Sequence, residues 1–152
     1  MIEVESYLRS GDGQFTRVDD VHDAPANPSH VEGALVLRID GVTILDTALW
    51  DDVDELWAYI SEMVGSLGEK DEVSTYFPDQ PIKLTFRRQG NKRILVSLDR
   101  RKGNRAANAS ESELVSSLQA EGTHFFARMS ELLPENRGAY DDAVARLMSY
   151  QR

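Results

Sequence analysis

One segment of the sequence carries residue types that bind divalent metals. Residues 19–23 read Asp-Asp-Val-His-Asp, and His30 follows. Carboxylate and imidazole groups both coordinate metals, but this spacing matches no metal site of defined geometry. Pro25 and Pro28 interrupt any periodic pattern, so we expect an irregular, solvated loop over residues 19–33. The sequence therefore predicts no metal site and no cofactor.

A tryptophan and a group of carboxylates precede and begin the first predicted helix. Negative charge stabilises the first turn of a helix, and Asp51 is predicted to be its N-cap. The same residues have a second interpretation, because an exposed tryptophan beside charged side chains is a typical anchor of a protein interface. The predicted partner-binding residues are Trp50, Asp52, Asp54 and Glu55. Taken alone, Trp50 is predicted to pack at the edge of a sheet, and the interface anchor is its alternative role.

A basic segment offers an alternative site for anions. Residues 83–105 hold nine basic side chains and a single acidic one. Its candidate anion-binding residues are Arg87, Arg88, Lys92, Arg93, Arg100 and Arg101. The segment has one aromatic residue, Phe86, which is predicted to be buried, and the whole chain carries a net charge of −9. Nucleic-acid-binding domains are usually basic, so nucleic-acid or anion binding is the second interpretation.

Charge is divided unevenly along the chain. Residues 1–80 carry a net charge of −14, whereas residues 81–152 carry +5. Within the first part, residues 40–79 contain eleven acidic side chains and one basic side chain. Such polarity affects association with partners and does not determine the fold.

Several chemistries are excluded by composition and motif. The chain has no cysteine and only three histidines, which excludes disulfides, thiol nucleophiles and cysteine-based zinc sites. It also lacks the phosphate-binding loop, the dinucleotide fingerprint, the nucleophile elbow and the His-Glu-x-x-His motif. We therefore predict no catalytic residues and a non-enzymatic protein. An enzyme whose pocket no motif marks is the third interpretation.

The sequence shows no targeting or membrane segment. Its apolar runs are far shorter than the roughly 18 residues that a spanning helix needs. Residues 1–5, Met-Ile-Glu-Val-Glu, have no basic region followed by an apolar stretch. We expect a cytoplasmic protein.

Two hairpins are predicted from alternating patterns and turn residues. Asp40-Gly41 is typical of a two-residue type I′ turn, which would pair Ile39 with Val42 and Leu37 with Ile44. The sequence between the basic strands favours a three-residue loop at Gln89–Asn91. That loop pairs Phe86 with Ile94, places Arg87 opposite Arg93, and leaves Asn91 left-handed.

Helical spacing predicts three helices. Trp57 lies on the apolar stripe of the first, which Gly68 ends. A capping box at Ser110–Glu113 begins the second, where Gly122 on the apolar face indicates close packing with a neighbour, and Pro134 ends it. The third carries an apolar face at Tyr140, Ala143, Val144, Leu147 and Met148.

The order of these elements predicts an α+β fold. We expect a single domain over residues 1–152, with an antiparallel sheet of about five to seven strands built from hairpins. One helix lies between the two sets of strands, and two C-terminal helices pack on one face. Residues 99–109 are predicted to be a basic connector.

The Asp40-Gly41 hairpin, the helix that begins near Trp50–Trp57, the second hairpin and the terminal helices resemble a known layout. It is similar to that of the small acidic bacterial immunity proteins that accompany polymorphic toxins, over about residues 35–148. The resemblance concerns layout and size, and no residue role transfers with it. It implies a protein-binding inhibitor that neutralises a cognate toxin, with an acidic surface set against a basic toxin domain. The oligomeric state is left open.

Overall fold

Alternating apolar and polar residues produce two antiparallel sheets in the computed structural model, which describes residues 1–152. Sheet A contains β1 (Ile2–Arg9), β2 (Phe15–Arg17), β3 (Glu32–Ile39), β4 (Val42–Leu45) and β5 (Asp51–Asp52). Sheet B contains β6 (Glu72–Tyr76), β7 (Lys83–Gln89), β8 (Arg93–Asp99) and β9 (Arg105–Ser110). The helices are α1 (Val53–Leu67), α2 (Glu111–Leu132) and α3 (Arg137–Leu147). The α+β class is confirmed, and the strands are divided between two sheets instead of forming one.

The strand order follows from the hairpins. Sheet A runs β2-β1-β3-β4, with β5 also paired to β3, and sheet B runs β6-β7-β8-β9. At one end of each sheet lies a strand that pairs on one side only. This strand is β2 in sheet A, with three residues, and β6 in sheet B, with five. At the other side, β4 contacts β9, so the two sheets adjoin there.

The first hairpin forms at the predicted turn. Asp40 and Gly41 have φ angles of 49° and 83°, as a type I′ turn requires, and Ile39 pairs with Val42. Beyond that pair the register differs from the prediction.

A β-bulge separates the two ends of this hairpin. Leu37 pairs with Leu45, whereas the sequence predicted Ile44 as its partner. The bulge turns successive residues of β4 inward, so Ile44 and Leu45 are both buried. The hydrophobic free energy gained by burying both side chains is larger than the cost of interrupting the regular strand pairing.

The second hairpin has the predicted loop length at a shifted position. Its loop comprises residues 90–92, and both Asn91 and Lys92 are left-handed, with φ angles of 62° and 57°. Phe86 consequently pairs with Val96 and not with Ile94. Because pairing partners move by two residues, apolar side chains still face one another across the strands.

The shifted register removes a like-charge contact that the sequence predicted. Arg87 lies opposite Leu95, and Arg93 lies opposite the neutral Gln89. The prediction that Arg87 opposes Arg93 is therefore wrong, because opposed like charges destabilise a sheet.

The predicted basic connector is shorter than expected. Residues 105–110 form β9, which leaves residues 100–104 as the turn between β8 and β9. Small residues allow this pairing, since Ala107 and Ala109 point inward and Ala109 is buried. The loop expected over residues 19–33 also shortens, because β3 begins at Glu32.

A single apolar cluster of 36 residues joins both sheets and the helices. Trp57 lies in it fully buried, and its indole N–H donates to Ser6 Oγ at 3.0 Å. α2 packs on β1, whereas α3 packs mainly on α1 and α2. None of the helices combines the length and apolarity that crossing a membrane demands.

Gly122 marks a close approach between helices, as its place on the apolar face predicted. A Cβ atom at Gly122 would lie 2.6 Å from Leu147 Cδ2 and 2.9 Å from Trp57 Cζ3. The absence of a side chain therefore allows α1, α2 and α3 to meet. Met148, predicted for the same apolar face of α3, is exposed because the helix ends at Leu147.

Candidate functional site

The carboxylate of Asp51 secures the segment that precedes α1. Asp51 lies in β5 and is buried, and its Oδ1 accepts the backbone N–H of Asp52 at 2.7 Å. Its Oδ2 accepts the backbone N–H of Asp79 at 3.2 Å and the side-chain amide of Gln80 at 3.1 Å. The prediction of Asp51 as N-cap is wrong, because α1 begins at Val53 with Asp52 before it. Asp51 instead holds the loop after β6 against the start of α1.

Three carboxylates lie close together at this point. Oxygens of Asp51, Asp52 and Asp79 lie within 4.8 Å of one another. Asp51 already accepts hydrogen bonds at both oxygens, so its burial is explained by the loop that it holds. Asp52 is also buried, and burial raises its pKa although His30 Nδ1 lies 3.5 Å from its Oδ2. Asp79 is the exposed member of the group.

Asp54 and Glu55 differ in their surroundings although they are adjacent. Asp54 Oδ2 accepts a hydrogen bond from the Tyr140 hydroxyl at 2.8 Å, and burial raises the pKa of both groups. Asp54 thus connects α1 to α3. Glu55 is exposed, and partial desolvation together with Asp52 raises the pKa of its carboxyl group. Of the three predicted acidic contact residues, the structure leaves Glu55 on the surface.

Trp50 lies at the surface beside these carboxylates. Its side chain is 38% exposed, and the guanidinium carbon of Arg9 lies 4.1 Å from the centre of its ring. Arg9 also bonds to Glu32 at 3.0 Å, and the Gln80 amide donates to the Trp50 carbonyl at 2.7 Å. Trp50 is therefore held in place while part of its ring contacts solvent.

Two exposed tyrosines adjoin this surface, and the sequence reasoning missed both. Tyr59 in α1 is 39% exposed, and Tyr76 at the end of β6 is 61% exposed. Tyr59 shares the outer side of α1 with Glu55 and Glu62, which stand four residues before it and three after it. That spacing is a signal that a helical wheel would have shown, whereas nothing in the sequence distinguishes Tyr76 from an ordinary strand residue.

We take the exposed residues around the start of α1 and the end of β6 together as one candidate surface and name it the acidic-aromatic face. α1 packs on β6, and the loop that follows β6 is fixed to Asp51. Asp79 lies close enough to Glu55 to raise its pKa. The acidic-aromatic face consists of Trp50, Glu55, Tyr59, Glu62, Tyr76 and Asp79.

A groove of about 500 Å³ runs between α1 and β6 within this region. Tyr59 and Glu62 belong to its helical side, and Glu72 and Ser74 to its strand side. A second groove, of about 550 Å³, lies between α2 and α3 and includes Phe126 and Arg137. The first groove adjoins the acidic-aromatic face, whereas the second lies among the C-terminal helices.

The six candidate anion-binding residues do not form one surface. Arg88 is buried and bonded to Glu111, so its charge is neutralised inside the protein. Arg87 pairs with Glu72 at 2.8 Å. Lys92 lies in the loop before β8, whereas Arg100 follows its other end, a separation of roughly 25 Å along the strand.

The three other arginines of this set also have partners or lie apart. Arg93 donates to Asn108 Oδ1 at 3.3 Å, and Arg100 donates to the carbonyl of Gly103 at 3.1 Å. Arg101 is exposed in the turn that follows β8. The set therefore offers separate cations and no continuous basic surface.

The carboxylate and imidazole side chains of residues 19–30 are likewise dispersed and do not meet at one point. Asp19 contacts His124 of α2, and His30 faces Asp52. The carboxylates that do meet, Asp51, Asp52 and Asp79, come from a different part of the sequence.

Comparisons of this chain with protein-family models, with curated proteins and with solved structures find no match.

Proposed function

We propose that this chain is a non-enzymatic protein-binding domain that binds a basic protein through the acidic-aromatic face. The observation that supports this is the grouping of exposed aromatic side chains. Six large hydrophobic or aromatic residues are exposed in the whole chain, and Trp50, Tyr59 and Tyr76 are three of them. Tryptophan and tyrosine are the residues that contribute most often to binding energy in protein interfaces.

The charge of this surface favours a basic partner. Three of the six residues of the acidic-aromatic face, Glu55, Glu62 and Asp79, are acidic. Arg146 pairs with Glu62, and Arg9 and Lys83 lie over the rings of Trp50 and Tyr76. Glu55 and Asp79 are exposed there without a basic partner within bonding distance. Complementary charge accelerates association and selects among partners.

The partner that we propose is a basic domain of a bacterial toxin, which this chain would inhibit as an immunity protein does. An inhibitor of this kind needs a rigid surface and no chemistry of its own. The loop held by Asp51 and the ring beneath Arg9 supply that rigidity, because Asp51 accepts hydrogen bonds from Asp79 and Gln80 and the Arg9 guanidinium lies 4.1 Å from the ring centre before any partner arrives.

Site-specific photocrosslinking tests which surface contacts a protein. A photoreactive phenylalanine analogue replaces Tyr59 or Tyr76 in the full chain expressed in its own cells. We expect both positions to crosslink to the same basic protein, because they share the acidic-aromatic face. The same substitution at Met148 is a matched control, since that residue is exposed directly after α3 and lies beside Thr123 of α2.

The captured partner then tests the inhibitory part of the proposal. Expressed alone it should be toxic, and co-expression of this chain should restore growth. Crosslinks from a photoreactive group at Lys92 and none from Tyr59 or Tyr76 would move the interface to the basic hairpin and overturn the proposal. A partner whose toxicity this chain does not reduce would leave a binding domain and exclude the immunity role.

A further inference from the structure

β6 presents an unpaired backbone edge beside the acidic-aromatic face. It pairs antiparallel with β7 and with no other strand. The backbone bonds Arg88 N–H to Asp71 O, at 2.7 Å, and Phe77 N–H to Ile82 O, at 2.9 Å, lie at the two ends of this pairing. Backbone groups of an antiparallel strand alternate in direction, so residues 71, 73, 75 and 77 bond toward β7.

The alternate residues therefore direct their backbone groups away from the sheet. These residues are Glu72, Ser74 and Tyr76. Each offers an N–H donor and a carbonyl acceptor along the open edge, where Thr75 Oγ1 bonds to the Tyr76 carbonyl at 3.0 Å. An uncovered edge of this kind is a template for another strand.

The space next to this edge is the groove between α1 and β6. Its volume is about 500 Å³, and the buried side chains of Met63 and Val73 belong to its lining. Tyr59 and Glu62 line it on the helical side. Three of its nine lining residues are hydrophobic, and Ser66 and Lys70 are among the others. An added strand would therefore find a mixed surface, with an aromatic ring and a carboxylate for those of its side chains that point toward α1.

We propose that the partner contributes an extended basic segment, which adds to sheet B along β6 and directs alternate side chains into this groove. The inference rests on the proposed function, since it assigns a binding mode to the same face. Strand addition gives affinity through backbone hydrogen bonds and specificity through pockets for alternate side chains.

Charge favours a basic segment. The exposed carboxylates of Glu55, one turn before Tyr59 on α1, and of Asp79, beyond the end of β6, form no ion pair. The groove itself is lined by Glu62, Glu72 and one cation, Lys70. Glu62 and Glu72 stand on its opposite sides, bonded to the exposed Arg146 and Arg87. Glu62 and Glu72 already have arginine partners, so a lysine or arginine of the added strand would pair with Glu55 or Asp79 and stack on Tyr59.

Amide hydrogen exchange measured by NMR tests the proposal with a defined probe. The probe is a short capped peptide in which lysine and valine alternate, and its control is the same peptide with N-methyl groups on alternate residues. In the free protein the amides of Glu72, Ser74 and Tyr76 should exchange quickly. The unmethylated peptide should slow their exchange at least about tenfold, whereas the methylated peptide should not, because it lacks the donors for strand pairing.

A matched pair of variants separates strand pairing from simple charge attraction. Ser74→Pro removes an N–H that points away from β7, so the bonds within sheet B are retained. It should weaken binding of the peptide at least about tenfold, whereas Ser74→Thr should bind as the wild type does. If Ser74→Pro does not fold, the comparison of the two peptides on the wild-type protein still decides.

Equal binding of both peptides, or binding that leaves the three amides unprotected, overturns strand addition. A dimer of the free protein that Ser74→Pro converts to monomer would also overturn it, because the edge would then be occupied by a second copy. Crosslinks from Tyr59 to a partner without protection of these amides would reject this binding mode and retain the proposed function. Absence of those crosslinks would reject the proposed function itself.

Discussion

Arg88 and Glu111 form a bidentate ion pair inside the protein. Arg88 Nε and Nη2 donate to the two carboxylate oxygens of Glu111 at 3.0 and 2.9 Å, and both side chains are more than nine-tenths buried. Arg88 also donates to the carbonyls of Leu67 and Lys70, each at 2.7 Å. One guanidinium thus connects the end of α1, strand β7 and the start of α2.

Loss of this arginine should destabilise the fold strongly. Arg88→Ala leaves Glu111 buried without its counter-charge, which should lower the free energy of unfolding by about 3–5 kcal/mol. Urea unfolding followed by circular dichroism measures the change. Arg87→Ala is the matched control, because the exposed pair with Glu72 should contribute at most about 1 kcal/mol. Equal losses in the two variants would contradict a structural role for Arg88.

Glu111 should make stability depend on pH in the acid range. The Arg88 guanidinium lowers the pKa of Glu111, so the unfolded chain takes up this proton first as pH falls. The stabilisation by Glu111 is therefore complete above its unfolded pKa of about 4.3 and is lost as pH falls through the lower folded pKa. The difference in unfolding free energy between wild type and Glu111→Gln should shrink below about pH 4.3. A difference that stays constant down to that range and below it would contradict the lowered pKa.

The sequence predicted local structure where a single physical requirement determines it. Asp40-Gly41 forms its turn because positive φ is needed there, and Ser110 caps α2 by accepting the Glu113 N–H at 3.4 Å. The bulge at Leu37 and the division into two sheets depend on packing between distant elements, which one segment does not reveal.

The candidate site was predictable only in part. Trp50 and Glu55 reached the surface as the sequence suggested, because both flank the start of a helix whose other side carries the apolar stripe. Asp52 is buried beside β3, and Asp54 is half-buried under Tyr140. Arginine is likewise a residue type that is usually exposed, so the sequence placed Arg88 at the surface. Only its ion pair with Glu111 in the structure shows that its side chain is buried.

Gly122 should not tolerate a methyl group. In Gly122→Ala the new Cβ would stand 2.6 Å from Leu147 Cδ2 and 2.9 Å from Trp57 Cζ3, so side chains must shift at a cost of about 1–3 kcal/mol. Gly138→Ala in α3 is the matched control, because no atom lies within 4 Å of its Cβ position. That variant should gain up to about 1 kcal/mol from higher helix propensity. Urea midpoints of both variants measure these changes, and a stable Gly122→Ala would refute the close packing.

Asp54 should act on stability in the direction opposite to Glu111. Burial raises the pKa of Asp54, so the folded chain holds this proton at a pH where the unfolded chain has released it. Stability therefore declines as pH rises from about 3.9, the ordinary aspartate pKa, to the higher folded pKa. Asp54→Asn lacks this decline, so its unfolding free energy should rise relative to wild type across that range. Parallel pH profiles of the two proteins would contradict the raised pKa.

Charge reversal on the acidic-aromatic face should slow association with the crosslinked partner. Asp52 is unsuitable because it is buried, so the substitutions are Glu55→Lys and Asp79→Lys, both at exposed positions. Long-range attraction governs encounter, so the association rate constant should fall roughly tenfold at low salt while the dissociation rate changes less. The effect should fade at about 1 M salt, where charges are screened within about 3 Å.

The matched control for this experiment reverses two exposed cations, Lys92→Glu and Lys102→Glu, which lie outside the acidic-aromatic face. With a basic partner, this pair should leave the association rate unchanged or raise it slightly, because it makes the chain more acidic. Surface plasmon resonance over a series of salt concentrations separates the two rate constants. Slower association in the control pair, with no change in the Glu55 and Asp79 pair, would mean that the partner is acidic and that the basic turns of sheet B attract it.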